Sequence, residues 1–173
     1  MASNEDFMKA VKSRRSYYQL NKDSPISDDR IVELVNEAVL HTPSSFNSQS
    51  TRVVVLLNEQ HEKLWEEIVK PAVKAVAPPE AFEQTSGKLD SFKAGHGTIL
   101  FYENPDDVNK LQKQFPLYAD KFPEWAEHTN AMHQYVGKFA NLCPPPSLPF
   151  RPGLLSVAVV MTVNMNMNLW NVG

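Results

Sequence analysis

Two short stretches hold the residues best suited to chemistry. "SRRSYY", residues 13–18, sets Arg14 and Arg15 beside Ser16. Two planar guanidinium forks and a hydroxyl suit a phosphate or a carboxylate, although a solvated basic helix end explains the hexapeptide better on its own. "HTPSSFNSQSTR", residues 41–52, gathers Ser, Asn and Gln around one aromatic, Phe46. The side-chain amides of Asn47 and Gln49 each present a donor and an acceptor. Such amides can match the alternating edge of a pyrimidine-like ring, and an ordinary polar turn is the competing account. Loops that feed a strand are common places for function.

The elements around these stretches follow from periodicity. Phe7, Met8 and Val11 fall at helical spacing in 5–16, with cations at the end that the helix dipole favours. Ser27 is a candidate N-cap, followed by Asp28 and Asp29 and by one apolar face, Ile31, Leu34, Val35, Ala38 and Val39. Pro43 stops that helix. The β-branched run 51–58 predicts a buried strand, and 96–104 a second. Between them lie a helix from about Glu59, with a kink expected near Pro71, and another over 78–95 that ends on Gly95. A helix opening at Pro105 and one after Pro123 complete the order α-α-β-α-α-β-α-α. Two strands do not make an independently stable sheet, so the tail must supply more.

Composition narrows the class. At 173 residues the chain is long enough for one domain with a core, and 42% hydrophobic against 21% charged residues reads as globular. A formal net charge of −3 removes the electrostatic case for nucleic acid, which needs a concentrated basic face. The single cysteine, Cys143, excludes an internal disulfide framework and fits a reducing compartment. The N-terminal residues carry acids early and lack an apolar signal core. "GLLSVAVVMTVNMNMNLW", 153–170, is continuously apolar only from Leu154 to Val163, with Ser156 and Thr162 inside it. A membrane span needs ~20 predominantly apolar residues. The expectation is a soluble cytoplasmic protein, with the nucleus also open to it. His128 and His133 are five apart, not the three or four that place two metal ligands on one helix face. No metal site is predicted, and Trp65, Phe122 and Trp125 are read as packing residues.

Together, the Arg-Arg-Ser of the first helix and "TPSSFNSQ" before the first strand resemble the FMN-dependent nitroreductase family. "AGHGTILFYEN" and "FPLYADKFPEWAEHTNAMHQ" are similar to its short fungal and bacterial branch, linked with oxidative stress and fatty-acid signalling. The resemblance covers residues 1–136. It implies an α+β fold, a mixed sheet surrounded by helices, and a homodimer with FMN at the subunit interface. Carried over, Arg14, Arg15 and Ser16 would hold the FMN phosphate and ribityl chain. Pro43, Ser44, Ser45, Asn47 and Gln49 would line the isoalloxazine and ribityl site. The implied reaction takes a hydride from NAD(P)H to the flavin and on to a nitroaromatic or quinone-like acceptor. The cofactor carries that chemistry, so no catalytic side chain is assigned. Two readings compete: a non-catalytic member that binds flavin or a lipid-derived ligand, and an inactive truncated product.

The resemblance stops at Val136–Gly137. Beyond Lys138 there is no Asp or Glu, Arg151 is the only further cation, and four prolines fall within 144–149. The family pattern instead continues its helix and adds strands and a basic residue near the flavin phosphate, leaving the fold incomplete at the C-terminus. Gly137-Lys138-Phe139 can be encoded GGT-AAG-TTT, which contains the splice-donor string GTAAGT. The sequence is therefore divided into a nitroreductase-like domain, 1–136, and a divergent tail, 137–173, read as intron-derived.

Overall fold

The structure, a computed structural model, describes residues 4–13, 16, 18–140 and 157–160. In chain order it has α1 (Asn4–Ser13), α2 (Asp28–His41), β1 (Thr51–Leu57), α3 (Asn58–Lys63), α4 (Lys70–Val76) and α5 (Pro79–Lys93). There follow β2 (Gly97–Glu103), α6 (Pro105–Gln114), α7 (Phe122–Ala140) and β3 (Val157–Val160). The strands form one sheet in the order β1-β2-β3. β1 runs antiparallel to β2, from Thr51↔Glu103 to Leu57↔Gly97, and β3 runs parallel to β2 from Gly97↔Val157 to Leu100↔Val160. The fold is the α+β, mixed-sheet nitroreductase-like one, and its third strand does come from the tail.

α2 forms where its cap and periodicity place it. The Ser27 hydroxyl accepts from the Arg30 amide at 3.3 Å, and Ile31, Val35 and Ala38 are buried. Alternation along the strands does the rest. Ile99 and Phe101 share a face with Val53 and Val55, and Val35 and Val39 of α2 pack onto that face to make the main core. α7 crosses the same strands, and Gly137 lets it come close: an added Cβ would lie 3.1 Å from Phe101 Cζ. α7 runs on to Ala140, four residues past Val136. A second cluster under the opposite face joins Trp65 and Leu89 to Leu64, Val69, Val73 and Phe92.

Two local expectations change. Among the described strands β1 lies at the sheet edge, and it is not buried throughout, since Val54 is exposed. Pro71 is accommodated by a π-helical turn, Leu64–Val69, joining α3 to α4. The Lys70 amide bonds back to the Trp65 carbonyl, the wider five-residue spacing, just ahead of the residue that has no amide hydrogen. At the far end of the strand pair Gly97 is sterically required. A Cβ there would stand 2.4 Å from Leu57 Cδ2 and 2.9 Å from the Leu56 carbonyl oxygen.

Among the described residues, no helix is long and apolar enough to cross a membrane.

Candidate functional site

α2 ends at Thr42, whose amide and hydroxyl both donate to the Ala38 carbonyl, and the chain turns over residues 43–50 into β1. That turn is unusual. Phe46, Asn47 and Gln49 all have positive φ, 54°, 52° and 47°. Each non-glycine residue in the left-handed region costs ~1 kcal/mol or more, so the surroundings must over-determine the conformation.

They do so from three sides. The Asn47 amide donates to the Ser44 carbonyl at 3.0 Å, the Ser48 amide to the Ser45 carbonyl at 3.1 Å, and the Gln49 amide to Ser44 Oγ at 3.1 Å. From α7, Thr129 accepts from the Ser45 amide at 3.2 Å and donates to Ser45 Oγ at 3.3 Å. Phe46 is pinned by an aromatic cluster: it stacks on Trp125 with centroids 5.3 Å apart and planes 14° from parallel. Phe115, Tyr118 and Phe122 close around it at 5.2, 5.7 and 5.3 Å. Such contacts contribute ~0.5–1.5 kcal/mol per pair beyond area burial, enough to offset the strain at Phe46.

Arg52 fixes the other side of the turn. Its Nη1 donates to the Gln49 carbonyl at 2.8 Å and to the Thr51 carbonyl at 3.0 Å, while Nη2 pairs with Asp107 at 2.7 Å. Asp107 also takes Lys110 at 3.0 Å and Asn104 at 2.8 Å. The bond from Lys110, followed by the charges of Lys110 and Arg52, holds that carboxyl below the usual aspartate range. The main chain of Gln49 is thus held at both N–H and C=O. Its side chain and that of Asn47 are exposed, and neither makes a hydrogen bond among the described residues. Two amides on a rigidly held, strained loop are in position to recognise a ligand that offers both donors and acceptors.

The other predicted positions fall differently. Pro43 is exposed at the turn, whereas Ser44 and Ser45 are half-buried and already use their hydroxyls to shape it. Ser16 is exposed, and Arg14 and Arg15 lie outside the described residues.

The Nitroreductase family profile matches residues 11–136. The chain belongs to the nitroreductase family. As a family member it is a flavin-dependent oxidoreductase in kind. The Saccharomyces cerevisiae protein HBN1 is 31% identical over 136 residues, covering 78% of this chain and 67% of its own length. Nitroreductase CinD from Lactococcus lactis, in complex with nicotinic acid, superposes with a TM-score of 0.70 at 41% identity, over 78% of this chain and 67% of CinD. CinD is also known in complex with chloramphenicol and with 4-nitrophenol. A nitroreductase from Exiguobacterium sibiricum in complex with FMN shares the fold, with a TM-score of 0.55 at 15% identity over 78% of this chain and 69% of its own.

Reading the sequence missed the residues beneath this nitroreductase loop. Ser50, Thr51, Thr129, Asn130 and His133 are all buried, and with Glu103 they form one polar network. Only the β1–β2 register and the crossing of α7 bring them together, so no local signal marks them.

Proposed function

We propose that this chain is an FMN-dependent oxidoreductase that uses NAD(P)H to reduce nitroaromatic or quinone-like acceptors. The observation that carries this reading is the 43–50 loop, where two side-chain amides with no hydrogen-bond partner among the described residues stand on backbone held in the left-handed region. Family membership supplies the chemistry that such a loop would serve, and the FMN-bound fold relative and the ligands of CinD support the cofactor and acceptor classes.

Asn47 and Gln49 would meet the donor and acceptor edge of the flavin, with Pro43, Ser44 and Ser45 shaping the wall beside them. Arg14, Arg15 and Ser16 would take the phosphate and ribityl end, as guanidinium forks suit a dianion. Bound FMN supplies hydride transfer between a nicotinamide and the acceptor. The protein's part is orientation: the loop fixes the ring edge, and the exposed rings of Phe46 and Tyr118 offer an apolar surface beside it. The working form would be a homodimer in the cytoplasm.

The test is optical. Purified chain reconstituted with FMN should be yellow, bleach on addition of NADH or NADPH under anaerobic conditions, and recover its colour when 4-nitrophenol or a quinone is added. A folded chain that takes up no flavin, or whose bound flavin does not bleach with either nicotinamide, overturns the reading.

A further inference from the structure

The carboxylate of Glu103, at the last position of β2, is the common acceptor of a hydroxyl network that reaches the loop from below. It receives the Ser50 hydroxyl, the Thr51 hydroxyl at 2.6 Å, and Nδ2 of Asn130 at 3.0 Å. These donors belong to three elements: the loop, β1 and α7.

The direction of every proton can be assigned. The Thr129 carbonyl can only accept, so His133 Nδ1, 2.8 Å away, carries its hydrogen. Thr51 Oγ1, 3.3 Å from that same nitrogen, is then its second acceptor and directs its own hydrogen to Glu103. Ser50 also donates to Glu103, which leaves its lone pairs to the Ser48 hydroxyl at 3.0 Å. Thus Ser48, Ser50, Thr51, Asn130 and His133 all orient their donors along chains that end on one carboxylate. The Ser50 carbonyl is fixed as well, by the Asn104 amide at 2.8 Å, so the chain leaving Gln49 has no freedom to relax.

We propose that Glu103 is a positioning residue for flavin binding: it touches no ligand and holds the loop that presents Asn47 and Gln49. The inference rests on the flavin reading above. It also explains how three left-handed residues persist on a surface loop. A buried network with all donors satisfied rigidifies what it holds, and a single acceptor that serves the loop, β1 and α7 makes that rigidity cooperative. Glutamine at this position has one acceptor oxygen and two hydrogens to place, so it cannot receive all three donors.

Two measurements on the full chain separate this inference from the flavin reading. Amide hydrogen exchange of the FMN-free protein tests the clamp directly. Glu103→Gln and Glu103→Ala should speed exchange at Ser45, Asn47, Ser48 and Gln49 while leaving α2 and β2 protected. Protection of those loop amides equal to that of the unaltered protein overturns the clamp. FMN titration then tests the consequence. Glu103→Gln should weaken binding by about tenfold, and Thr51→Val should act in the same direction while Thr51→Ser restores affinity. Combining Glu103→Gln with Thr51→Val should weaken binding by less than the product of the two, since both break one network. FMN affinity in folded Glu103→Gln that matches the unaltered chain overturns the positioning role. If Glu103→Gln loosens the loop as predicted but the unaltered chain binds no FMN, the flavin reading and the positioning role are overturned and the clamp stands.

Discussion

The two ends of the β1–β2 pair are both lined with buried polar groups, yet among the described residues they differ in what they leave unspent. At the far end, near Leu57↔Gly97, the buried polar side chains close on one another. His61 Nε2 lies 3.0 Å from the Lys93 carbonyl and must donate to it, so Nδ1 accepts the Thr98 hydroxyl at 2.7 Å. Trp65 Nε1 donates to that same Thr98 oxygen at 3.0 Å. Nearby, His96 bridges the Lys22 carbonyl at 3.0 Å and Asp28 at 2.7 Å, and Asn58 adds a bond to Asp28 at 2.8 Å. The bond from His96 is the main reason that the Asp28 carboxyl sits below its ordinary range. At the loop end the buried layer is satisfied too, but Asn47 and Gln49 above it have no intramolecular partner among the described residues. Buried histidines and threonines therefore serve structure here, and the exposed amides mark the candidate site.

The largest expected effect breaks the far end alone. Thr98→Val keeps the shape but strips the shared hydroxyl, leaving the Trp65 N–H and His61 Nδ1 buried without partners. Each orphaned group costs ~1–3 kcal/mol, so urea unfolding should show a loss of about 3 kcal/mol. FMN affinity should stay within about twofold, because Thr98 faces Leu56, about 17 Å along β1 from Thr51. A drop in affinity that tracks the lost stability would show the two ends to be one cooperative unit.

Proton uptake gives a smaller effect at the same end. Burial, the leading cause, pushes the His61 imidazole below its ordinary value of 6.5, and the Lys93 carbonyl only partly offsets this. In the folded chain His61 therefore stays neutral at pH values where the unfolded chain has already bound a proton. Its contribution is complete above about pH 6.5 and is lost as pH falls toward the folded value, at no more than about 1.4 kcal/mol per unit. Asp28 acts in a separate window, since a depressed carboxyl loses stability only as pH drops below its ordinary 3.8. Unfolding measured at pH 7.5, 6.5 and 5.5 should show the decline, and His61→Gln should flatten it. An undiminished slope in that variant assigns the proton elsewhere.

What the sequence made legible at each end follows the range of the interactions. α2 is written locally, in the Ser27 cap and a 3.6-residue apolar period, and the two β-branched runs announce β1 and β2. The third strand followed only by elimination, since an apolar run has no partner until the sheet exists. Asn47 and Gln49 stood out by residue type alone. Their left-handed backbone did not, because it depends on Phe46 meeting Trp125 and on Thr129 reaching Ser45, contacts made across some eighty residues. Glu103 was invisible for the same reason. Its partners lie on three elements, and only the register that sets Thr51 opposite Glu103 unites them. The π-turn before Pro71 was half legible: the proline signalled a disturbance, and the packing of Trp65 under the sheet decided its form.

The smallest stability effect should come at the loop end, and it sharpens the contrast most. Gln49 holds φ at 47° with its amide and carbonyl both bonded and, among the described residues, no partner for its side chain. Glycine adopts that φ without the penalty a side chain incurs, though it gives back part of the gain through a more disordered unfolded chain. Gln49→Gly should therefore leave unfolding stability within about 0.5 kcal/mol of the original, and on either side of it. FMN binding should still weaken, because the lost amide is one of the two proposed to meet the ring edge. Stability and affinity would then respond oppositely at the two ends: Thr98 matters to the fold and not to the ligand, Gln49 to the ligand and not to the fold. If Gln49→Gly instead binds FMN as well as the original chain, the left-handed turn serves the shape of the loop alone, and Asn47 must be tested as the sole amide contact.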